Sequence, residues 1–388
     1  MVCLDYTAFD DELEMDRSTL SWNFEVVSDD SVFENLASIW DDLARHSEFP
    51  TVFALHGFNA AWWSSHHSEW SLRLVIGRDR NNSVRFIGPF VERKSHPGAW
   101  FLMGHGAADY ESVLFRAGDT EAWHAFQNWV QSCDQWQSLN LHHIATETVN
   151  GFPFLRTVKR SGNRAVNALR VLSQNSVFAY RIDEACHPFS ERGSFARLAE
   201  KTRGRDYRKH ANWFSRQGEL SYCSWTDSEN LLAHLPEALD LHRKKWTAKK
   251  EPGAAVSLED SSFLRRVIER LGHHGAVRLD LLLWKGQPIA SHVGFEWNGR
   301  LYWYLTAYDP DYGSHSPGKL LLAYVIQAAA SSTLLEIDFL RGQEAYKYQY
   351  ASEVRKTSRV CVFQNRRYAL TAWITKVLPR LRIAQSSR

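Results

Sequence analysis

Four consecutive residues, Ser316-Pro317-Gly318-Lys319, have the types that suit anion recognition. A serine can cap a helix, proline fits its first turn, and glycine lets a ligand approach the backbone. The unpaired N–H groups of a helix N-terminus favour negative charge, and a lysine adds to that. A pyrophosphate would be met in this way, although an ordinary capped helix explains the same residues. Tyr308 and His315 flank the loop that leads in. His292 lies in a branched and aromatic run, and its usual pKa range suits proton transfer near neutrality. A histidine on a strand is also a common structural element. Downstream, Asp338, Arg341, Glu344, Tyr346 and Lys347 crowd ten residues with both charges and a phenol. They suit phosphate or acceptor contacts, and an internal ion pair among Arg341, Glu344 and Lys347 suits them equally.

The elements that must hold these residues are legible. Ala276–Trp284, Ile289–Trp297 and Leu301–Tyr308 read as three strands in a meander, turned by Lys285-Gly286-Gln287-Pro288 and by Asn298-Gly299. A polar loop follows, then an apolar helix beginning at Ser316 and running to Ala330, then a short strand over Leu334–Leu340.

These segments resemble the GNAT-type acyltransferase family of the CelD-like kind associated with cellulose biosynthesis, which is distantly similar to the FemX-type peptidyltransferases. The resemblance rests on Ile289-Ala290-Ser291-His292, Tyr308-Asp309-Pro310, Ser316 to Leu321, and Asp338 to Lys347, whose Arg-Gly-x-Glu-x-Tyr-Lys end is its most specific part. It covers roughly residues 190 to 363. Phe195–Gly218, as a basic helix, and Leu241 to Trp246 fit it too, with weaker echoes at Phe53–Trp63 and Asp109-Tyr110. One departure stands out: the pyrophosphate pattern is present only as His315-x-x-Gly318-x-Leu320.

The resemblance implies an α/β fold with a mixed sheet, GNAT-like, and a recurrence of the same element pattern earlier in the chain points to two tandem lobes. It implies acetyl-CoA or another acyl-CoA as donor, with no metal, and direct attack on the thioester by an amine or hydroxyl of a sugar or small polar acceptor. Tyr308, His315, Ser316, Pro317, Gly318, Lys319, Arg341 and Lys347 are then the expected cofactor contacts. His292 is the first candidate base, with Asp338 and Glu344 as alternatives, and Tyr346 can return a proton to the departing thiolate. Backbone N–H groups along Tyr304–Tyr308 are the expected oxyanion donors if that strand is bulged. Polysaccharide or secondary metabolism is the implied setting. Two other readings stay open: a FemX-like transferase using aminoacyl-tRNA, and a non-catalytic module of an exopolysaccharide assembly.

The chain has 388 residues, 44% of them hydrophobic, enough for one large core or two ordinary ones. The same order of strands and helix recurs earlier, over Leu72–Gly77, Ser83–Val91, Ala99–Met103, a helix within Asp119–Trp136, and Leu141–Ala145. A tail over residues 1–20, a degenerate GNAT-like lobe over 21–185 and an acyltransferase lobe over 186–388 are expected, with a cleft between lobes for the acceptor.

A net charge of +2 gives no global argument for nucleic acid, so only the cluster of cations over Arg192–Arg216 keeps tRNA open; a solvated basic face explains it too. Met1 to Asp30 is acidic and broken by polar residues, and no apolar run spans a bilayer; a cytoplasmic protein is expected, with peripheral membrane contact as the remaining option. Arg366 to Arg382 reads as an amphipathic terminal helix. Five scattered cysteines suggest reduced thiols rather than disulfides or a zinc site. Sixteen tryptophans fit a core as well as a sugar platform.

Overall fold

The computed structural model describes residues 22–145, 166–171, 178–190, 194–249 and 258–364. The N-terminal tail and the Arg366–Arg382 segment lie outside them.

Alternation of apolar and polar residues, punctuated by glycine turns, builds the same plan twice. In the first half β1 (Asn23–Val27), β2 (Trp70–Arg78), β3 (Val84–Arg93) and β4 (Ala99–Leu102) pair antiparallel in sequence order. Helix α4 (Thr120–Ser132) then crosses over, and β5 (Ser138–Ala145) lies parallel to β4. In the second half β8 (Leu220–Trp225), β9 (Val277–Trp284), β10 (Gln287–Trp297) and β11 (Arg300–Tyr308) repeat the meander. Helix α9 (Pro317–Ala330) leads to β12 (Glu336–Asp338), parallel to β11.

The two halves share one mixed sheet. Strand β7 (Phe178–Ser190) pairs antiparallel with β12, while β13 (Glu353–Phe363) pairs antiparallel with β5 and with β7. Each half thus lends its last long strand to the other. Position 185/186, the expected lobe boundary, falls within β7. A short strand, β6 (Val166–Val171), adds to β7 alone.

Three apolar clusters order the layers. One face of the sheet carries a core common to both halves, in which α1 (Asp30–Asn35), α2 (Ala37–Arg45) and α3 (His56–His66) meet α7 (Ser228–Lys249) and α8 (Leu258–Leu271). Phe53 and Phe58 from the first half stack edge-on against Phe295 from the second. The opposite face has two separate cores, one around α4 and one around α9 with α5 (Ser194–Thr202) and α6 (Arg205–Ser215). The basic segment expected as one helix is therefore two, parted by Gly204 in extended conformation at φ −62°, ψ 170°. Along these helices Phe195, Leu198, Ala199, Thr202, Tyr207 and Phe214 are buried, and Ala211 between them is half-buried. Among the described residues Cys133, Cys223 and Cys361 form no disulfide. Among the described residues no helix is long and apolar enough to cross a membrane.

Candidate functional site

β11 and β12 pair only over Arg300–Tyr302 and Glu336–Asp338. β12 ends there while β11 runs on to Tyr308, and a cavity of about 360 Å³ lies beside this further part of β11. Its floor is Ser291 of β10 with Trp303, Thr306, Ala307 and Tyr308 of β11. Gly313, Ser316, Pro317, Gly318 and Lys319 form the mouth at the start of α9, whose Leu321 and Leu322 make one wall. Lys245 of α7 and Tyr346, Gln349 and Tyr350 close the rest.

Local chemistry shapes each edge. At the mouth, Ser316 occupies the N-cap position of α9 with Pro317 next to it, as expected. Its side chain makes no capping hydrogen bond, because its backbone is left-handed at φ 50°, ψ 54°. The first turn carries no acidic residue, which leaves the helix dipole to a negative ligand. A Cβ on Gly318 would sit 3.5 Å from the Tyr308 ring, in ordinary contact with it. Lys319 pairs with Asp206 of α6, and Lys245 Nζ donates to the Thr306 carbonyl at 2.9 Å on the open edge of β11. His315 lies outside the cavity lining, stacked on Trp213 at 3.5 Å between ring centres.

β11 is bulged. Val293 faces Leu305 but Phe295 faces Tyr302, so Trp303 and Tyr304 both stand opposite Gly294. Only glycine fits there, since a Cβ would lie 2.3 Å from the Tyr302 carbonyl and from His292 Nε2. The displaced Tyr302 carbonyl lies 3.3 Å from His292 Nε2, while His292 Nδ1 is 2.9 Å from Asp280 Oδ2. His292 is wholly buried, its ring flat against Trp303 at 4.1 Å, and is not part of the cavity surface. Both of its nitrogens face acceptors, so its position is that of a prop behind the bulge. Burial alone would raise Asp280; the hydrogen bond from His292 and the charge of Arg278 outweigh it and hold the carboxyl well below its ordinary value.

The residues after β12 divide. Tyr346 turns its hydroxyl toward the cavity, where it accepts from Trp303 Nε1 at 3.2 Å. Burial pushes that phenol up to about 12 although the Trp303 bond works the other way, so it is protonated at neutral pH. Asp338 is fully buried and accepts from Tyr110 Oη at 2.7 Å, Arg355 Nη1 at 2.8 Å and the Leu340 N–H at 2.8 Å. Lys347 is buried and donates to the Arg341 carbonyl at 2.5 Å and to Glu344 at 2.9 Å, away from the cavity. Glu344 is more than half exposed. Arg341 points to the first half, donating to Asp109 and, at 2.5 Å, to His143 Nε2.

The structure thus gathers Tyr308, Ser316, Pro317, Gly318, Lys319 and Tyr346 around one cavity and leaves His292, His315, Asp338, Arg341, Glu344 and Lys347 off its surface. Sequence reasoning passed over Lys245, Trp303 and Tyr350 as cavity residues. Lys245 stood within a segment already carrying the family resemblance, which was the available signal.

Residues 200–348 match the family model described as acetyltransferase (GNAT) domain. A search of curated proteins finds no match. Among solved structures the chain is similar to FemX, at 10% identity and a TM-score of 0.57, covering 87% of this chain and 98% of that one. It is also similar to a conserved protein of unknown function from Bacteroides thetaiotaomicron VPI-5482, at 9% identity and a TM-score of 0.49 over 85% of this chain and 97% of that one. A tandem GNAT protein from the clavulanic acid biosynthesis pathway is 10% identical with a TM-score of 0.43, covering 88% of this chain and 98% of its own. All of the cavity's lining residues except Gln349 and Tyr350 lie within the stretch that matches the acetyltransferase (GNAT) domain.

Proposed function

We propose that this chain is an acyl-CoA-dependent acyltransferase whose thioester lies in the cavity between β11, α9 and Tyr346. The observation that carries this is the coincidence of a helix N-terminus without acidic residues, a bulged open strand edge and the Tyr346 phenol around one cavity. The α9 N-terminus with Lys319 receives the pyrophosphate, and the open edge of β11 runs alongside the pantetheine arm. N–H groups on that edge beyond Tyr302 stabilise the oxyanion formed when the acceptor attacks the carbonyl carbon. As the C–S bond breaks, Tyr346 passes its proton to the sulfur, and its phenolate then takes the proton released by the acceptor nitrogen or oxygen; a phenol that stays protonated to about pH 12 is a donor in the resting state. Trp303 orients that phenol, and His292 with Asp280 hold the bulge that aims Trp303.

In this reading the acceptor is a sugar or small polar molecule bearing an amine or hydroxyl, in polysaccharide or secondary-metabolite synthesis, and the setting is cytoplasmic. The FemX likeness and the exposed Arg197, Arg205, Arg208 and Lys209 beside α9 favour one second reading, an aminoacyl-tRNA donor. Retention of charged tRNA on a filter tests that directly.

The deciding experiment is thermal melting with and without acetyl-CoA. At about 100 times its dissociation constant a ligand selective for the folded state adds about 2.7 kcal/mol. A shift seen with acetyl-CoA and CoA, and absent from Gly318→Trp, supports the cavity as the site. No shift with any acyl-CoA overturns the reading in favour of tRNA or a binding module without catalysis.

A further inference from the structure

We propose that Arg341 binds an anionic group of the acceptor, a carboxylate or a phosphate. This rests on the acyl-transfer reading above. Trp303 and Tyr304 are neighbours at the bulge, yet Trp303 belongs to the core around α9 and Tyr304 packs against the core shared by both halves. Tyr304 Oη donates to the Ala107 carbonyl at 2.9 Å, which brings the segment after β4 directly across the strand from the cavity. The same segment supplies Asp109, which takes Nε of Arg341, while His143 at the end of β5 takes Nη1 at 2.5 Å.

Arg341 is built to receive something more. Two edges of its guanidinium are held by the first half, and its carbonyl is held by Lys347. Among the described residues its Nη2 makes no hydrogen bond, and its side chain is 32% exposed. Burial disfavours the charge, but the Asp109 carboxylate beside it keeps the group charged, with its pKa above the ordinary value. A tie between halves does not require this residue, because the buried Tyr110–Asp338–Arg355 network provides one close by. A planar cation fixed on two sides with a free N–H pair is suited to a charge-assisted contact with a carboxylate or phosphate oxygen. It stands just past the end of β12, so an anion held there leaves the nucleophile of the same small molecule facing the cavity.

The test is CoA release from acetyl-CoA with matched acceptor pairs: serine against serinamide for the carboxylate, glucosamine 6-phosphate against glucosamine for the phosphate. We expect the acidic member of one pair to exceed its neutral partner at least tenfold in kcat/KM, and that pair names the anion. In Arg341→Gln the gap falls below about threefold through KM, with the acetyl-CoA melting shift retained; Arg341→Lys keeps part of it. Equal rates within both pairs, no turnover of either acidic member, or a preference that survives in Arg341→Gln overturns the assignment. Loss of the acetyl-CoA shift in Arg341→Gln, with folding intact, moves Arg341 to the donor site and overturns it as well. A native protein with no acetyl-CoA shift fails at the earlier step, and the acyl-transfer reading and this one fall together.

Discussion

The start of α9 and the start of α4 occupy matching places in the two halves, yet only one is prepared for a ligand. At α9 the first turn is Pro317-Gly318-Lys319, with no acidic residue, and a cavity of about 360 Å³ lies against it. At α4 the Asp119 carboxylate already accepts the Ala122 N–H and is gripped by Arg85, with Glu121 following. The small cavity lined by Trp123, Phe115 and the end of β5 measures about 40 Å³, and Phe86, Phe90 and Phe126 fill the space beside it. The strands differ in the same sense. β3 and β4 run in register over Phe90–Glu92 and Trp100–Leu102, whereas β10 and β11 carry the bulge at Gly294. An internal carboxylate and a set of rings can thus occupy a helix terminus and the space beside a strand that elsewhere in the molecule stay open. What separates a site from a scaffold here is what the chain leaves unfilled.

The comparison can be broken most severely at the joint. Asp338→Ala leaves buried Arg355 with Tyr110 and only one of its two carboxylates, Glu336, which costs about 3–5 kcal/mol. If both halves are one cooperative unit, urea unfolding followed by tryptophan fluorescence and by far-UV circular dichroism shifts as a single transition. Gly318→Trp comes next, removing the roughly 2.7 kcal/mol that saturating acetyl-CoA adds while leaving the unliganded melting point near its native value. Gly294→Ala forces a Cβ against the Tyr302 carbonyl and is expected to cost about 1–3 kcal/mol, read as a lower urea midpoint. Asp119→Ala is the smallest, about 1 kcal/mol for a lost cap, and it leaves the acetyl-CoA shift unchanged. A shift that did change would mean that the first half also holds donor.

Asp280 gives the pH dimension of the same contrast. Its folded-state pKa is depressed, so its stabilising share is complete above the unfolded value of about 3.9 and is lost as pH falls from there toward the folded value. Acid unfolding of the native protein therefore steepens below about pH 4. Asp280→Asn is less stable at neutral pH and loses that part of the acid limb, measured by urea midpoints at stepwise lower pH.

Much of the second half was legible because local rules agree with the fold. Lys285-Gly286 and Asn298-Gly299 take positive φ at both positions, 52° and 74°, then 51° and 72°, which is what two-residue hairpins need. Asp119 before α4 and Pro317 at the start of α9 read as helix starts for similar reasons. Ser316 did not obey its local rule: the turn before it forces a left-handed backbone, and the hydroxyl no longer reaches the first N–H groups. His292 was legible as a strand residue but not as a buried prop. Its partners are Asp280 and Tyr302 on neighbouring strands, and nothing in its own segment shows whether a histidine faces a carboxylate or a ligand. Arg341 is the extreme case, since Asp109 lies 232 residues away. Its chemistry was visible in the sequence and its direction was not.

The exchanged strands bear on how the protein is made. β5 ends the first half with an edge that only β13 covers, and their contact pairs Asn140 with Cys361, 221 residues later. During synthesis that edge stays unpaired until nearly all of the described chain has emerged, and closing it is a late, high-contact-order step. Unpaired edges recruit other strands, so a nascent chain halted before β13 presents a surface that pairs with its neighbours on the same message. The first half supplied alone should inherit that hazard, and a peptide spanning Glu353–Phe363 should relieve it.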